Sequence, residues 1–276
     1  MRSFQRILTV RDISCVGQCS LTVALPILSA CGIETAILPS AVLSTHTGGF
    51  KGFTFRDLTE DIPLIRDHWK KEGLTFSALY TGYLGSAKQI EYVKSLASEV
   101  LDPGAPLIVD PAMADNGKLY TGFDMPFVEE MKKLVFSADI ILPNITEACL
   151  LTGTGYRAEY DGKYIKDLLD ALSAAGAKRT VLTGVGYRKG YTGVAIRDGD
   201  SDFYYEHVRL EPGCHGTGDV FASAFCGAYL RGKSITESAR IAADYTLKCI
   251  IKTKEHPDHW YGVTFEPVLP DLIAEL

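Results

Sequence analysis

The segment Gly213-Cys214-His215-Gly216-Thr217-Gly218-Asp219 runs straight into the helix-forming stretch Val220 to Phe225, and it carries the strongest chemical signal in this chain. Glycines that open a helix let successive backbone N–H groups approach an anion, and the positive end of the helix dipole adds to the attraction. Gly216, Thr217 and Gly218 therefore form a candidate anion hole suited to phosphate. A carboxylate in the first helical turn, beside such a hole, can take a proton from an attacking hydroxyl while the N–H groups hold charge on a transferring phosphoryl group. Asp219 is the candidate general base. An acid at this position also complements a helix dipole with no catalytic role, so the motif needs company.

Two further segments supply it. Asp110-Pro111-Ala112-Met113-Ala114-Asp115-Asn116-Gly117-Lys118-Leu119-Tyr120 puts two carboxylates into a Gly-containing loop, and Asn144-Ile145-Thr146-Glu147 begins a helix with an amide, a hydroxyl and a carboxylate. Carboxylates that hold Mg²⁺, directly or through its waters, offset the negative charge of a nucleoside triphosphate. For Thr146 and Glu147 ordinary helix capping explains the same residues. The one Gly-x-x-x-x-Gly-Lys-Ser/Thr match, Gly227 to Ser234, follows a helix-forming stretch and not a β-branched run, which argues against a P-loop enzyme.

The elements that would position these groups alternate. Short β-branched runs at Ile7 to Val10, Thr35 to Leu38, Leu107 to Val109, Ile140 to Leu142, Thr180 to Leu182 and Gly193 to Ile196 are separated by helical patterns. This predicts βαβ units, an α/β fold and a largely parallel sheet. Ser86-x-x-Gln89 and Ser234-x-x-Glu237 have capping-box spacing and open two of the helices. Leu21 to Leu28 also has the helical period, but Pro26 predicts a kink or a later start. Parallel sheets bind ligands at the carboxyl ends of their strands, and Asp12, Asp110, Asn144 and Thr183 all follow or end a run, so they are expected to converge on one rim. The stretch Gly48 to Asp61 has the broken periodicity of a loop at such a rim.

The 276 residues are 46% hydrophobic and 22% charged, with a net charge of -6. That composition excludes collagen-like and disordered classes and disfavours nucleic acid as a partner. With no long Pro/Gly/Ser linker and no repeat, residues 1–276 are read as a single domain. No apolar run approaches a membrane span, and seven scattered cysteines without a Cys-x-x-Cys pair fit a reducing cytoplasm.

At these motifs the chain resembles the ribokinase-like superfamily, and within it the pyridoxal (vitamin B6) kinases. The resemblance runs over nearly the whole length: Val10 to Ser20, Ser44-Thr45-His46-Thr47-Gly48, Thr81 to Ser86, the Asp-Pro-x-Met-x-Asp stretch from Asp110, Leu142-Pro143-Asn144-x-Thr146-Glu147, and Gly216-Thr217-Gly218-Asp219. It implies a three-layer α/β/α sandwich around a mostly parallel sheet and a homodimer. ATP and Mg²⁺ would serve transfer to the 5′-hydroxymethyl group of pyridoxal, pyridoxine or pyridoxamine, with a monovalent cation such as K⁺ as an optional addition. By matching position Asp219 would be the base and Gly216 to Gly218 the anion hole. Asp110, Asp115, Tyr120, Asn144, Glu147 and Thr183 would face ATP, with Asp110 and Glu147 at the metal. Thr45, His46 and Tyr83 would line the pyridine pocket.

Asp12 stands where these kinases commonly carry serine, and Asp12-Ile13-Ser14 is similar to the Asp-Pro-Ser start of hydroxymethylpyrimidine kinases. Its carboxylate is expected to pair with a protonated ring nitrogen or an amine. Ala112 and Ala114 replace the usual Val and Gly. Cys214 is read as a packing residue, the competing reading being a thiol whose pKa the helix N-terminus lowers. Hydroxymethylpyrimidine (phosphate) kinase is the alternative activity. A nucleotide-dependent NAD(P)H-hydrate dehydratase shares the Gly-Thr-Gly-Asp segment, but the His46 and Tyr83 segments argue against it.

Overall fold

Runs of aliphatic residues too short for helices form the interior strands of one sheet. A computed structural model describes residues 5–211 and 213–276. In chain order the strands are β1 (Arg6–Ser14), β2 (Glu34–Leu43), β3 (Phe55–Asp57), β4 (Ala78–Thr81), β5 (Leu107–Val109), β6 (Ala114–Asp115), β7 (Lys118–Leu119), β8 (Ile140–Ile141), β9 (Arg179–Val185), β10 (Tyr191–Asp198) and β11 (Ser201–Val208). Nine of them build a sheet ordered β11-β10-β9-β8-β5-β4-β1-β2-β3, while β6 and β7 pair as a separate hairpin. From β9 to β2 all neighbours are parallel, and β3, β10 and β11 add antiparallel edges. The predicted parallel centre is therefore present.

The helices are α1 (Leu21–Ala30), α2 (Asp61–Lys71), α3 (Ala87–Glu99), α4 (Met125–Val135), α5 (Ile145–Thr152), α6 (Gly162–Ala174), α7 (Thr217–Leu230), α8 (Ile235–Thr253) and α9 (Leu269–Glu275). They cover both sheet faces. Leu8, Val10, Leu79, Val109, Ile141 and Leu182 share a core with residues of α2 to α6. Ile7, Ala78, Tyr80, Ile108, Ile140 and Val181 share the other with α1, α7, α8 and α9. Because side chains alternate along a strand, consecutive residues divide between the two cores, giving the three-layer α/β/α architecture.

Local chemistry sets the helix ends, with two departures from expectation. Helix α1 starts at Leu21 and continues through Pro26 to Ala30. At α3, Ser86 caps the Gln89 N–H, but Gln89 does not complete a box. Its Oε1 accepts the Gly85 N–H at 2.7 Å, and its Nε2 donates to the Ser40 carbonyl at 3.0 Å and the Thr59 hydroxyl at 2.8 Å, tying α3 to β2. The reciprocal box at Ser234 and Glu237 is complete.

The chain leaves β1 for β2 on one side, and β4 later pairs with β1 on the other. This reversal opens a crevice at the carboxyl end of β1, the place where open α/β sheets bind ligands. Arg11 and Asp12 lie there.

Ser234 lies far along the chain from these residues. Ser234→Ala is expected to cost about 1 kcal/mol, read as a lower urea midpoint with an unchanged m-value. An unchanged midpoint would mean that the cap contributes nothing to α8.

Candidate active site

A charged side chain inside a buried parallel strand must find acceptors, because an unpaired ion there is strongly disfavoured. Alternation puts Arg11 on the same sheet face as Ile7, under α1 and α7, and its side chain is wholly buried. One amino group, Nη1, donates to Asp219 Oδ1 at 2.6 Å. The other, Nη2, donates to the Tyr80 hydroxyl and lies 3.5 Å from Asp110 Oδ2. The guanidinium carbon sits 4.2 Å from the centre of the Tyr80 ring. Burial disfavours the charge, but Tyr80, Asp219 and Asp110 more than offset this and hold the guanidinium protonated.

Asp219 lies in the first turn of α7, and its second oxygen accepts the Ser20 N–H at 2.9 Å. Ser20 has φ 59 and ψ -128, a conformation that costs a non-glycine residue about 1–3 kcal/mol. Its hydroxyl is in turn held by Asp12 Oδ1 at 2.6 Å. Gly216 caps α7 with φ 82, and a Cβ there would stand 1.9 Å from the Gln18 carbonyl oxygen. Only glycine fits, and Thr217 and Gly218 then begin the helix, where backbone N–H groups lack intrahelical acceptors. The expected anion hole and carboxylate are thus adjacent at one helix end.

The structure places Asp12 elsewhere than expected. It lies within β1 rather than after it, and is 7% exposed. Its oxygens accept from Ser14 Oγ at 3.0 Å and Ser20 Oγ at 2.6 Å. Burial raises its pKa. Asp12 therefore secures the strained Ser20 whose N–H bonds Asp219, with both carboxylate oxygens held by serine hydroxyls.

Asp110, Asp115, Tyr120, Asn144, Glu147 and Thr183 gather around the β6–β7 hairpin. Asn144 caps α5, and Glu147 completes the capping box. Glu147 Oε1 also accepts the Met113 N–H at 2.9 Å, Thr146 Oγ1 accepts the Gly117 N–H at 2.9 Å, and Asn144 Nδ2 donates to the Ala114 carbonyl at 2.7 Å. The capping and functional readings coincide here, since one helix end both caps itself and fixes the acidic hairpin. Glu147 is 2% exposed with both oxygens on backbone N–H groups, while Asp110, whose Oδ1 accepts the Ala112 N–H at 3.2 Å, keeps 14% side-chain exposure, so Asp110 is the more accessible of the two expected metal residues. Asp115 is exposed and accepts from Asn116 at 2.8 and 2.9 Å. Exposed Tyr120 closes the hairpin through its N–H to the Met113 carbonyl at 2.9 Å. Thr183 lies within β9 and not at its end as expected, and it bridges to Asn144, the cap of α5.

On the other side of the crevice His46 Nε2 donates to the Tyr261 carbonyl at 2.6 Å, while its Nδ1 accepts the Gly48 N–H at 3.0 Å, which fixes the tautomer. Its ring lies 5.4 Å from that of His215, next to the anion hole, and Phe50 packs 4.8 Å from Trp260. His46 therefore fastens its loop to the C-terminal segment. The Thr45 hydroxyl is buried without a protein partner among the described residues. Half-buried Tyr83 packs 5.4 Å from Phe123, and burial together with Asp12 and Asp57 raises its phenol pKa. Cys214 is half-buried, and burial raises its pKa, as a packing thiol requires.

Arg11, Ser20 and Tyr80 are absent from the sequence-based site. The signal for Arg11 is legible in retrospect: an arginine between Val10 and Asp12 in a run that must be buried requires acceptors.

A mostly parallel α/β sheet with a glycine-capped helix, an acid in its first turn and a second acidic cluster across the crevice defines a phosphotransferase of small alcohols. Residues 66–264 match the model of the phosphomethylpyrimidine kinase family, and the chain belongs to that family. A Bacteroides thetaiotaomicron protein provisionally named phosphomethylpyrimidine kinase is 37% identical, with 98% of this chain and 94% of that one superposed at a TM-score of 0.94. A second crystal form of it, solved with pyridoxal, gives 0.92. The pyridoxal kinase of Lactobacillus plantarum is 34% identical over 99% of this chain and 98% of its own, with a TM-score of 0.91. Alignment with the Arabidopsis thaliana pyridoxal kinase, 28% identical, spans 64% of this chain and 57% of that enzyme.

The acidic cluster has a consequence for stability. Burial raises the pKa of both Asp110 and Glu147, and each has a carboxylate neighbour that adds to the shift. The folded state therefore keeps protons that the unfolded chain has already released, so stability falls as pH rises from the ordinary carboxylate range toward neutrality and above. The expected outcome is a lower Tm at pH 8 than at pH 5.5, with Glu147→Gln flattening the slope. A Tm that rises over this interval in both proteins would contradict it.

Proposed function

We propose that this chain is an ATP-dependent kinase that phosphorylates the 5′-hydroxymethyl group of a vitamin B6 vitamer. The observation that carries the reading is Asp219, oriented by Arg11 and Ser20 at the start of α7 beside Gly216, Thr217 and Gly218. The acceptor hydroxyl passes its proton to Asp219 as its oxygen attacks the γ-phosphorus, and ADP leaves. The N–H groups at the helix end stabilise charge on the transferring phosphoryl group. Nearby Thr45, His46 and Tyr83 form the pyridine side, where the buried Thr45 hydroxyl has no protein partner among the described residues. The pyridoxal-bound Bacteroides relative supports a B6 substrate.

Two buried carboxylates with raised pKa values form a donor set that a cation would relieve. Magnesium held directly by Asp110 and through water by Glu147 would neutralise phosphate charge. A monovalent cation is included in the same reading. So is a homodimer, for which exposed Phe53 and Phe55 at the β3 edge supply apolar surface. A cytoplasmic setting is supported by seven free cysteines.

The family match favours one second reading, hydroxymethylpyrimidine phosphorylation. An ADP-release assay with Mg-ATP compares pyridoxal, pyridoxine, pyridoxamine and hydroxymethylpyrimidine, with each product confirmed by mass. A B6 vitamer is expected to lead in kcat/KM by about 10²-fold or more, since a polar site rejects a mismatched ring strongly. Preference for hydroxymethylpyrimidine would overturn the proposed substrate. Asp219→Asn should lower kcat by about 10²–10⁴-fold while leaving KM for ATP nearly unchanged. Wild-type turnover in this variant would remove Asp219 as the base.

A further inference from the structure

At the crevice Arg11 bonds Asp219 and approaches Asp110, yet it neither takes a proton nor touches the transferred group in the phosphoryl-transfer scheme. Stability explains it poorly, because apolar residues of similar volume often replace a buried ion pair at no loss or with a gain. Its three bonded or paired neighbours, Asp219, Asp110 and Tyr80, all stand at the crevice. We propose that Arg11 is a positioning residue for phosphoryl transfer, which fixes the orientation of the Asp219 carboxylate and bridges it to Asp110. This rests on the reading of Asp219 as the base.

The geometry supports the role in three ways. Nη1 takes Asp219 Oδ1 at 2.6 Å while the Ser20 N–H takes Oδ2 at 2.9 Å, so rotation of the carboxylate about its bond to Cβ is fixed from both ends. Each oxygen retains a lone pair for a substrate hydroxyl. Next, the planar fork sends Nη2 to the Tyr80 hydroxyl and toward Asp110 Oδ2, so one rigid group spans the acceptor and nucleotide sides. A lysine ammonium, being a point charge, cannot hold the same directions. Finally, the backbone leaves space for the fork. A Cβ on Gly82 would stand 2.5 Å from Arg11 Nε and 2.6 Å from Cζ and Nη2. Nε itself has no acceptor among the described residues, so the guanidinium is held by its two amino ends and the face of Tyr80.

The test is a double-mutant cycle on the full chain with Mg-ATP and the preferred acceptor, using Arg11→Gln, Arg11→Lys and Gly82→Ala. Each is made in the wild type and in Asp219→Asn. A misplacement of about 1 Å at a reacting group costs on the order of 10²-fold. Arg11→Gln is therefore expected to lower kcat by about that factor, with KM for each substrate within about threefold, and Arg11→Lys to recover part of the loss. Gly82→Ala, which displaces the guanidinium without removing its charge, should also lower kcat. In Asp219→Asn the same changes should have almost no further effect, because the group they orient is gone.

Equal fold-losses in both backgrounds, or wild-type kcat in folded Arg11→Gln, would overturn the proposal. If Arg11→Gln does not fold, as shown by circular dichroism, Arg11→Lys and Gly82→Ala decide in the same way. Retained turnover in Asp219→Asn would defeat the base reading itself and the proposal with it. Loss in Asp219→Asn with no loss in the Arg11 and Gly82 variants would defeat the proposal alone.

Discussion

A positive charge cannot lie in the interior of a sheet unless acceptors surround it, and the buried guanidinium of Arg11 imposes that constraint on this fold. Tyr80 of the neighbouring strand presents its ring and hydroxyl, Asp110 follows the next strand along, and Asp219 approaches from the first turn of α7. These three residues come from distant parts of the chain and meet at the carboxyl end of β1, where the strand order reverses. Coulomb attraction and desolvation together therefore register α7 against the sheet. The carboxylate and the anion hole inherit their relative placement from that registration.

A second layer of polar contacts performs the same service for the acidic hairpin across the crevice. The N-terminus of α5 spends its cap, its hydroxyl and its capping-box acid on the β6–β7 hairpin, so the loop carrying Asp115 is attached to a rigid element. On the other side of the crevice, His46 links its loop to the Tyr261 carbonyl. Both loops are thus anchored by backbone-directed hydrogen bonds, which place them on either side of Asp219 and leave other side-chain groups available to ligands.

Much of the fold was legible because short β-branched runs and capping signals are local. Leu107 to Val109 and the Ser234 box are found as the sequence predicts. Strands β3, β4 and β11 and the short hairpin escaped, β3 lying inside the stretch read as a loop, since their patterns are brief or their exposure mixed. In the site, the glycine-capped Asp219 could be read from the helix it opens. Asp12 could not, because its role depends on the positive φ of Ser20 and on a contact eight residues away, neither visible in residue type. Arg11 fell between these cases: its burial was implied by the strand, while its partners required the topology.

In the proposed reaction Asp219, held by the buried cation, faces the hydroxyl that accepts the phosphoryl group. A crystal structure of the chain with a B6 vitamer and a non-hydrolysable ATP analogue tests it most directly. The account predicts the vitamer's 5′-hydroxyl within about 2.6–3.2 Å of an Asp219 oxygen, with Arg11 still bonded to Oδ1 and the terminal phosphate at the N-terminus of α7. A hydroxyl seated away from Asp219, with a different base beside it, would contradict the account.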